Sequence, residues 1–556
     1  MLQPAGSSFL FWSVLFFSML VSVRPPLTFS TTRKKKLSRE RKTERRGRAE
    51  KRDFFLFSLK RVTRTSLVTS QQSTNIMVHP VNANTINQNV LTAEYAVRGP
   101  IVVRAGELAL QLKKDPSSLP FEDIVLCNIG NPQSLGQKPI TFYRQIMAIC
   151  DYPDLLDSPE CSKIFPEDVI ARSKEVLANT AGGTGAYTES KGLKYVREQI
   201  ATFLEKRDGH KADPEMIYTL DGASSGVNYM LTLLIRGKQD AMLVPIPQYP
   251  LYSAGLALYG GTLCPYYLKE ENNWGLDVNE MRKEVQKAKK DGVEVRALVV
   301  INPGNPTGNS LSLENQQEVV KFCAEENLIL LSDEVYQDNI YVEGKSFVSM
   351  KKVVADMGYG DKVALASLQS TSKGFYGECG KRGGFMELYG AWDQGVLDQL
   401  LKLASINLCP NVSGQILIGQ VCTPPVEGDA SYALYEKEKA DILASLKRRS
   451  GKLVDGLNKL TGVTCNNSDG AMYAFPNLTF PEKFLKDCEG KGKMADAVYC
   501  MSILEETGIV VVPGSGFGQA DGTWHFRTTF LPGEDKIDAV VERLSAFHEN
   551  FMKKWM

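Results

Sequence analysis

The sequence predicts an α/β fold with a mainly parallel sheet, followed by a smaller α/β unit. Short apolar, β-rich runs recur at 241–245 (AMLVP), 297–302 (ALVVIN), 328–333 (LILLSD) and 363–368 (VALASL). Stretches with helical spacing separate them, as in 311–327, where Leu313, Val319, Val320 and Cys323 fall near one face. Runs that are apolar throughout, without alternation, read as strands buried on both faces, and the helices between them as parallel crossovers. Ligands of such sheets bind beyond the strand C-terminal ends. The informative polar residues of this chain follow those runs directly.

The 556 residues, 43% hydrophobic and 23% charged, suffice for two or more domains and exclude a peptide, a collagen-like repeat or a wholly disordered chain. The formal charge of +1 hides a split. Residues 24–64 hold 16 Lys and Arg against 4 Asp and Glu, a balance of +12, and residues 65–556 carry −11. An acidic body disfavours nucleic acid as a partner. The eleven cysteines are scattered beyond residue 126 with no C-x-x-C pair, which suits a reducing compartment. The four histidines form no ligand cluster, so no metal site is expected.

Ahead of the body lies a leader, residues 1–76. Its 15-residue apolar stretch Phe9–Val23 is shorter than the ~20 residues that span a bilayer. It matches a signal-peptide core in length, and the basic, Ser/Thr-containing stretch after it has transit-peptide flavour. Three readings stand: a targeting peptide, a short membrane anchor, or an extension omitted by a translation start at Met77. Mitochondrial and cytoplasmic locations both remain open, and membrane contact is expected only through the leader.

The last ~140 residues change texture. A helical stretch from Lys439 to Leu460 is followed by GVTCN, GAMYAFP, a second helical stretch, IVVVPG, WHFRTTFL and a final helix. Alternating short strands and helices there predict the smaller unit.

Five polar clusters follow strand-like runs. Ser367–Gly384 (SLQSTSKGFYGECGKRGG) places Lys373 among small, turn-prone residues, where desolvation would make it a Schiff-base nucleophile. Ser370 and Arg382 suit a phosphate. In ILLSDEVY, Asp333 reads either as a helix cap or as a fixed anion facing a cationic ring, and Tyr336 lies one turn on. Asn302–Gly308 (NPGNPTG) is a tight-turn signal. DGASSGV at 221–227 can offer amides to a phosphate at a helix start. The fifth is PIPQYPLY at 245–252.

In this order, N-P-x-N-P-T-G, D-E-x-Y and S-x-x-K with an arginine nine residues on resemble the fold-type I pyridoxal-phosphate aminotransferases. EYAVRG at Glu94, NIGNPQSLGQKPITF at Asn128, PQYPLYSA at Pro247, WGLD near Trp274, GECGKRGG and VVVPGSGFGQ resemble the eukaryotic alanine aminotransferase branch. The resemblance runs from about Leu91 to the C-terminus. It implies a large domain with a seven-stranded-type sheet sandwiched by helices. Its segments would be an N-terminal arm and small-domain part at 77–170, the large cofactor-binding domain at 171–410 and the small domain at 411–556. Pyridoxal 5′-phosphate is the implied cofactor, and amino acids and 2-oxo acids the implied substrates.

The resemblance also implies roles. Lys373 would bond the cofactor and, once released, shuttle the proton of the substrate α-carbon. Asp333 would pair with the ring nitrogen, Asn305 and Tyr336 with the 3′ oxygen, and Tyr249 would stack on the ring. Ser224, Ser225, Ser370 and Arg382 would hold the phosphate. Tyr187 would reach the phosphate of a neighbouring subunit, making a shared site in a homodimer. Arg527 would clamp the substrate α-carboxylate, with Gly130 and Asn131 in the segment closing over it. The implied reaction is reversible ping-pong transfer from L-alanine to 2-oxoglutarate. A glutamate:glyoxylate aminotransferase, a lyase on the same fold and a non-catalytic regulatory protein are the alternatives. The final Lys-Trp-Met is no S-K-L-like address, so a peroxisomal location is not expected.

Overall fold

The computed structural model describes residues 81–556 except positions 96 and 98. The leader readings, including Phe9–Val23 and Met77, lie outside the described residues.

Seven strands form the central sheet: β1 (Ile217–Thr219), β2 (Asp240–Ile246), β3 (Thr262–Tyr267), β4 (Glu294–Ile301), β5 (Ile329–Asp333), β6 (Ala364–Ser370) and β7 (Gly384–Gly390). Their spatial order is β1-β7-β6-β5-β4-β2-β3, with β7 antiparallel to both neighbours and the other six mutually parallel. All four apolar runs of the sequence are strands here.

Both faces are covered, which is why those runs do not alternate. Leu243, Leu298, Val300, Leu330 and Leu365 pack on one face against helices Val278–Lys290, Leu313–Glu326 and Met350–Asp356. Met242, Val244, Val299, Leu331 and Leu368 pack on the other against Ala223–Leu234, Leu251–Tyr259 and Gln394–Ile406. Each such side chain contributes roughly 1.5–3 kcal/mol by leaving water.

The helix Leu313–Glu326 corrects one expectation. Val319, Val320 and Cys323 are fully buried, but Leu313 is 45% exposed. It is the first helical residue, just past the Ser312 cap whose hydroxyl accepts from the Asn315 amide at 3.2 Å, and the sheet does not reach it. Phe322 takes its place in the core.

A second core lies under the shorter strands. Val125–Leu126 pairs in parallel with Ile509–Val510, and Tyr473–Ala474, Phe526–Thr529 and Val512–Pro513 form an antiparallel trio. IVVVPG, legible as one strand, is two, because Ile509–Val510 and Val512–Pro513 take different partners. The long helix Tyr432–Leu457 starts two turns before the sequence expectation, with Tyr435 buried among Tyr143 and Phe375. Together with Ala495–Thr507 and Glu534–Trp555 it encloses this core.

None of the eleven cysteines is disulfide-bonded. Among the described residues no helix is long and apolar enough to cross a membrane, and no cluster of His, Cys, Asp or Glu is placed to hold a metal.

Candidate active site

The register of the sheet brings the site together. Ile301, Asp333 and Leu368 are successive partners across β4, β5 and β6. The turns leaving these strands carry Asn305, Tyr336 and Lys373, and all open on one cleft of about 490 Å³.

Eleven of the thirteen residues singled out in the sequence line that cleft: Gly130, Asn131, Ser224, Tyr249, Asn305, Asp333, Tyr336, Ser370, Lys373, Arg382 and Arg527. Ser225 is in the same helical turn as Ser224, but its hydroxyl turns back to the Asp221 carbonyl at 3.4 Å. Tyr187 lies away from the cleft with its side chain 78% exposed.

Asp333 ends β5, buried at the floor of the cleft. Its Oδ2 accepts a 2.9 Å hydrogen bond from the Tyr252 hydroxyl, and its Oδ1 accepts from the Val335 amide at 3.4 Å. Burial pushes its carboxyl up to about 6, against the pull of Tyr252, the amide and Lys373. Glu334 points elsewhere, accepting from Ser332 Oγ at 3.0 Å and the Met350 amide at 2.9 Å. The strand alternation thus assigns the two adjacent acids to different surroundings.

Lys373 reaches across to the N-terminal segment, where its Nζ donates to the Gly130 carbonyl at 2.6 Å. A Cβ on Gly130 would collide with the Tyr473 hydroxyl and come within 2.8 Å of Lys373 Nζ, so only glycine fits there.

At one end of the cleft lies a cradle for an anion. Gly222, at φ +79°, starts the 12-residue helix Ala223–Leu234, whose N-terminus has no side-chain cap. Arg382 donates to the Asp221 carbonyl at 2.8 Å and to Ser224 Oγ at 3.4 Å, and Ser370 Oγ accepts from the Ser372 amide at 3.1 Å. A side chain on Gly222 would run into the Arg382 guanidinium. A helix N-terminus, an arginine and two hydroxyls converging there suit a phosphate.

At the other end, Arg527 is buried at 1% exposure. Its Nη1 donates to Asn305 Oδ1 at 3.0 Å and its Nη2 to the Asn128 carbonyl. The guanidinium lies against the rings of Tyr473 and Phe517, 4.3 and 4.6 Å from their centroids.

Four tyrosine and cysteine contacts escaped the sequence reading. Tyr473 accepts the Tyr336 hydroxyl at 3.0 Å. Burial raises its phenol, but Lys373, Arg527 and that hydrogen bond outweigh burial and hold it below the ordinary value. Tyr95 meets the Tyr249 hydroxyl at 2.6 Å, and Cys379 Sγ lies 3.0 Å from the Ser372 carbonyl. Tyr252, one helical turn beyond Tyr249, and Tyr95 and Cys379, inside EYAVRG and GECGKRGG, lie within the sequence motifs without being singled out there, whereas Tyr473 lies in none.

Residues 156–544 match the family Aminotransferase class I and II. The chain is 54% identical over 478 residues to alanine aminotransferase 1, mitochondrial, of Arabidopsis thaliana, covering 86% of this chain and 88% of that protein. It is 48% identical over 472 residues to glutamate–glyoxylate aminotransferase 2 of the same plant, covering 84% and 96%. The solved structure of an alanine aminotransferase from Pyrococcus furiosus superposes with a TM-score of 0.66 at 24% identity, covering 84% of this chain and all of that one. The chain belongs to the class I and II aminotransferases, enzymes of fold type I that depend on pyridoxal 5′-phosphate. The anion cradle, the buried Asp333 and Lys373 between them fit that cofactor.

Proposed function

We propose that the protein transfers the amino group of L-alanine to 2-oxoglutarate, giving pyruvate and L-glutamate reversibly in two half-reactions. One observation carries this: a single cleft holds Lys373 and a buried, ring-stacked Arg527. An amine at the reacting carbon and a planar cation for an α-carboxylate are the two groups that amino-acid chemistry needs.

Pyridoxal phosphate, when bound, supplies the electron sink that acidifies the α-proton. Ser224, Ser370 and Arg382 would hold its phosphate, Ser225 joining them only once its hydroxyl leaves the Asp221 carbonyl, and Asp333 would pair with its ring nitrogen. Asn305 and Tyr336 would hydrogen-bond its 3′ oxygen, and Tyr249 would cover its ring. Lys373 would anchor the cofactor through Nζ, and its amine would carry the proton to and from the substrate α-carbon. Arg527 holds the carboxylate by two hydrogen bonds, and Gly130 and Asn131 close over the substrate.

The alanine reading is supported by the names of the relatives and by the charges in the cleft. Among the described residues lining it, the cations are Lys373, Arg382 and Arg527. Each already has a role, so no further cation in that lining serves a side-chain carboxylate; this suits the methyl of alanine, while glutamate and 2-oxoglutarate, which the cleft must also admit, find no dedicated cation there for their second carboxylate. The exposed Tyr187 supports a homodimer in which it reaches the partner's phosphate. We divide the chain at 170 and 410 into arm, large cofactor-binding domain and small domain, and read residues 1–76 as a mitochondrial address, as the relative's name suggests.

The test is a donor and acceptor panel on the cofactor-saturated protein. The expected result is 2-oxo acid formed from L-alanine in equal amount to glutamate, with pyruvate preferred over glyoxylate in the reverse direction. A strong glyoxylate preference would replace this reading with the glutamate:glyoxylate one. Lys373→Ala should lose both the activity and the visible band that shifts on adding alanine.

A further inference from the structure

We propose that Tyr473 is a positioning residue with two separable parts: its ring braces Arg527 for the substrate carboxylate, and its hydroxyl sets how Tyr336 meets the cofactor. This rests on the site reading above and extends it to a residue that no motif marked.

The ring part follows from the stacking. The Arg527 guanidinium is 4.3 Å from the Tyr473 ring centroid and 4.6 Å from that of Phe517. One N–H group on each terminal nitrogen is spent, Nη1 on Asn305 and Nη2 on the Asn128 carbonyl. The rings therefore fix the plane in which the remaining N–H groups can meet a carboxylate, and a bidentate pair tolerates little rotation out of that plane.

The hydroxyl part follows from a competition. The Tyr336 hydroxyl has one proton to donate, and it donates it to Tyr473 at 3.0 Å. A cofactor oxygen that needs the same proton must share it or displace it. The Tyr473 hydroxyl also abuts Gly130, the residue whose carbonyl holds Lys373 Nζ. Tyr336, Lys373, Arg527 and Cys379 are the titratable or charged groups that act on the phenol.

The strand position explains how one residue does both. Tyr473–Ala474 pairs antiparallel with Phe526–Thr529, the strand that carries Arg527. The register places Tyr473 opposite Thr529, so the phenol lies alongside the guanidinium and its tip extends to Tyr336 in the turn after β5.

The experiment compares Tyr473→Phe and Tyr473→Leu as cofactor-loaded enzymes. Calorimetry measures the Kd of propionate, a carboxylate with no amino group to react. Absorption measures the pH at which the bound cofactor's visible band titrates, and steady-state kinetics gives KM for L-alanine. Tyr473→Leu, which loses the ring, should weaken propionate and raise KM by about 10-fold or more. Tyr473→Phe keeps the ring and should hold both within about threefold. With its competitor gone, Tyr336 donates fully to the cofactor oxygen and favours that oxygen's charged form, so the band of Tyr473→Phe should titrate at lower pH. Unchanged propionate binding in Tyr473→Leu would overturn the ring part. An unmoved band in Tyr473→Phe would overturn the hydroxyl part, and this isosteric variant suffices even if the leucine variant does not fold. Propionate binding and the band need no turnover, so failure of the alanine reading would show separately, as wild-type enzyme that makes no pyruvate.

Discussion

Arg527 Nη1 donates to Asn305 Oδ1 at 3.0 Å, joining the strand Phe526–Thr529 to the turn that follows β4. The residue assigned to the substrate carboxylate thus touches the residue assigned to the cofactor's 3′ oxygen. On those assignments, substrate binding and cofactor tuning would share one hydrogen bond.

Arg527→Lys keeps the charge but loses the planar fork and the stacking. One charge-assisted hydrogen bond is worth about 1.5–3 kcal/mol, so kcat/KM for L-alanine should fall about 10- to 200-fold, with KM rising. Initial-rate kinetics over a range of alanine concentrations checks this. An Arg527→Lys enzyme with unchanged KM would remove Arg527 from carboxylate binding.

Asp333 carries a pH signature in the cofactor-free protein. Its folded value of about 6 lies above the usual carboxylate range, so the folded state binds more protons than the unfolded state between about pH 4 and 6. Its contribution is fully present below about pH 4 and is lost as pH rises through about 6, a difference of about 2–3 kcal/mol. Thermal melts of the apoprotein should show Asp333→Asn gaining stability on wild type across that window. Parallel pH profiles for the two proteins would contradict this.

Tyr252→Phe deletes the hydroxyl that donates to Asp333 at 2.9 Å. Leaving a buried carboxylate oxygen unpaired costs about 1–3 kcal/mol, which Asp333 avoids by holding its proton to higher pH. A protonated Asp333 cannot pair ionically with the ring nitrogen. Cofactor affinity at pH 7 should therefore weaken by roughly tenfold, recovering at higher pH, as followed by fluorescence titration.

Gly130→Ala puts a methyl group into the Tyr473 hydroxyl and within 2.8 Å of Lys373 Nζ. The fold should persist, because Gly130 has no positive φ to strain. Displacing the reacting amine by about 1 Å should cut kcat by around 100-fold. Circular dichroism with kinetics separates this outcome from unfolding.

Much of this protein was legible one segment at a time. The four apolar runs named their strands because burial on both faces demands an apolar residue at every position, and that demand is visible within five or six residues. The polar clusters named most of the site for a related reason: parallel strands present their C-terminal turns together, so each motif adjoins its own strand. Leu313 and the start of the helix Tyr432–Leu457 were misjudged where periodicity was right but the depth of the core was not.

What only the tertiary structure decided are contacts between distant segments. Tyr473 lies 137 positions from Tyr336, Arg527 lies 222 from Asn305, and Lys373 lies 243 from Gly130. GAMYAFP reads as an ordinary short strand, and nothing within it marks a phenol that touches both Arg527 and Tyr336. Local pattern records which face of an element is buried. Which distant side chain fills the space opposite is settled by packing, and packing exists only in the folded chain.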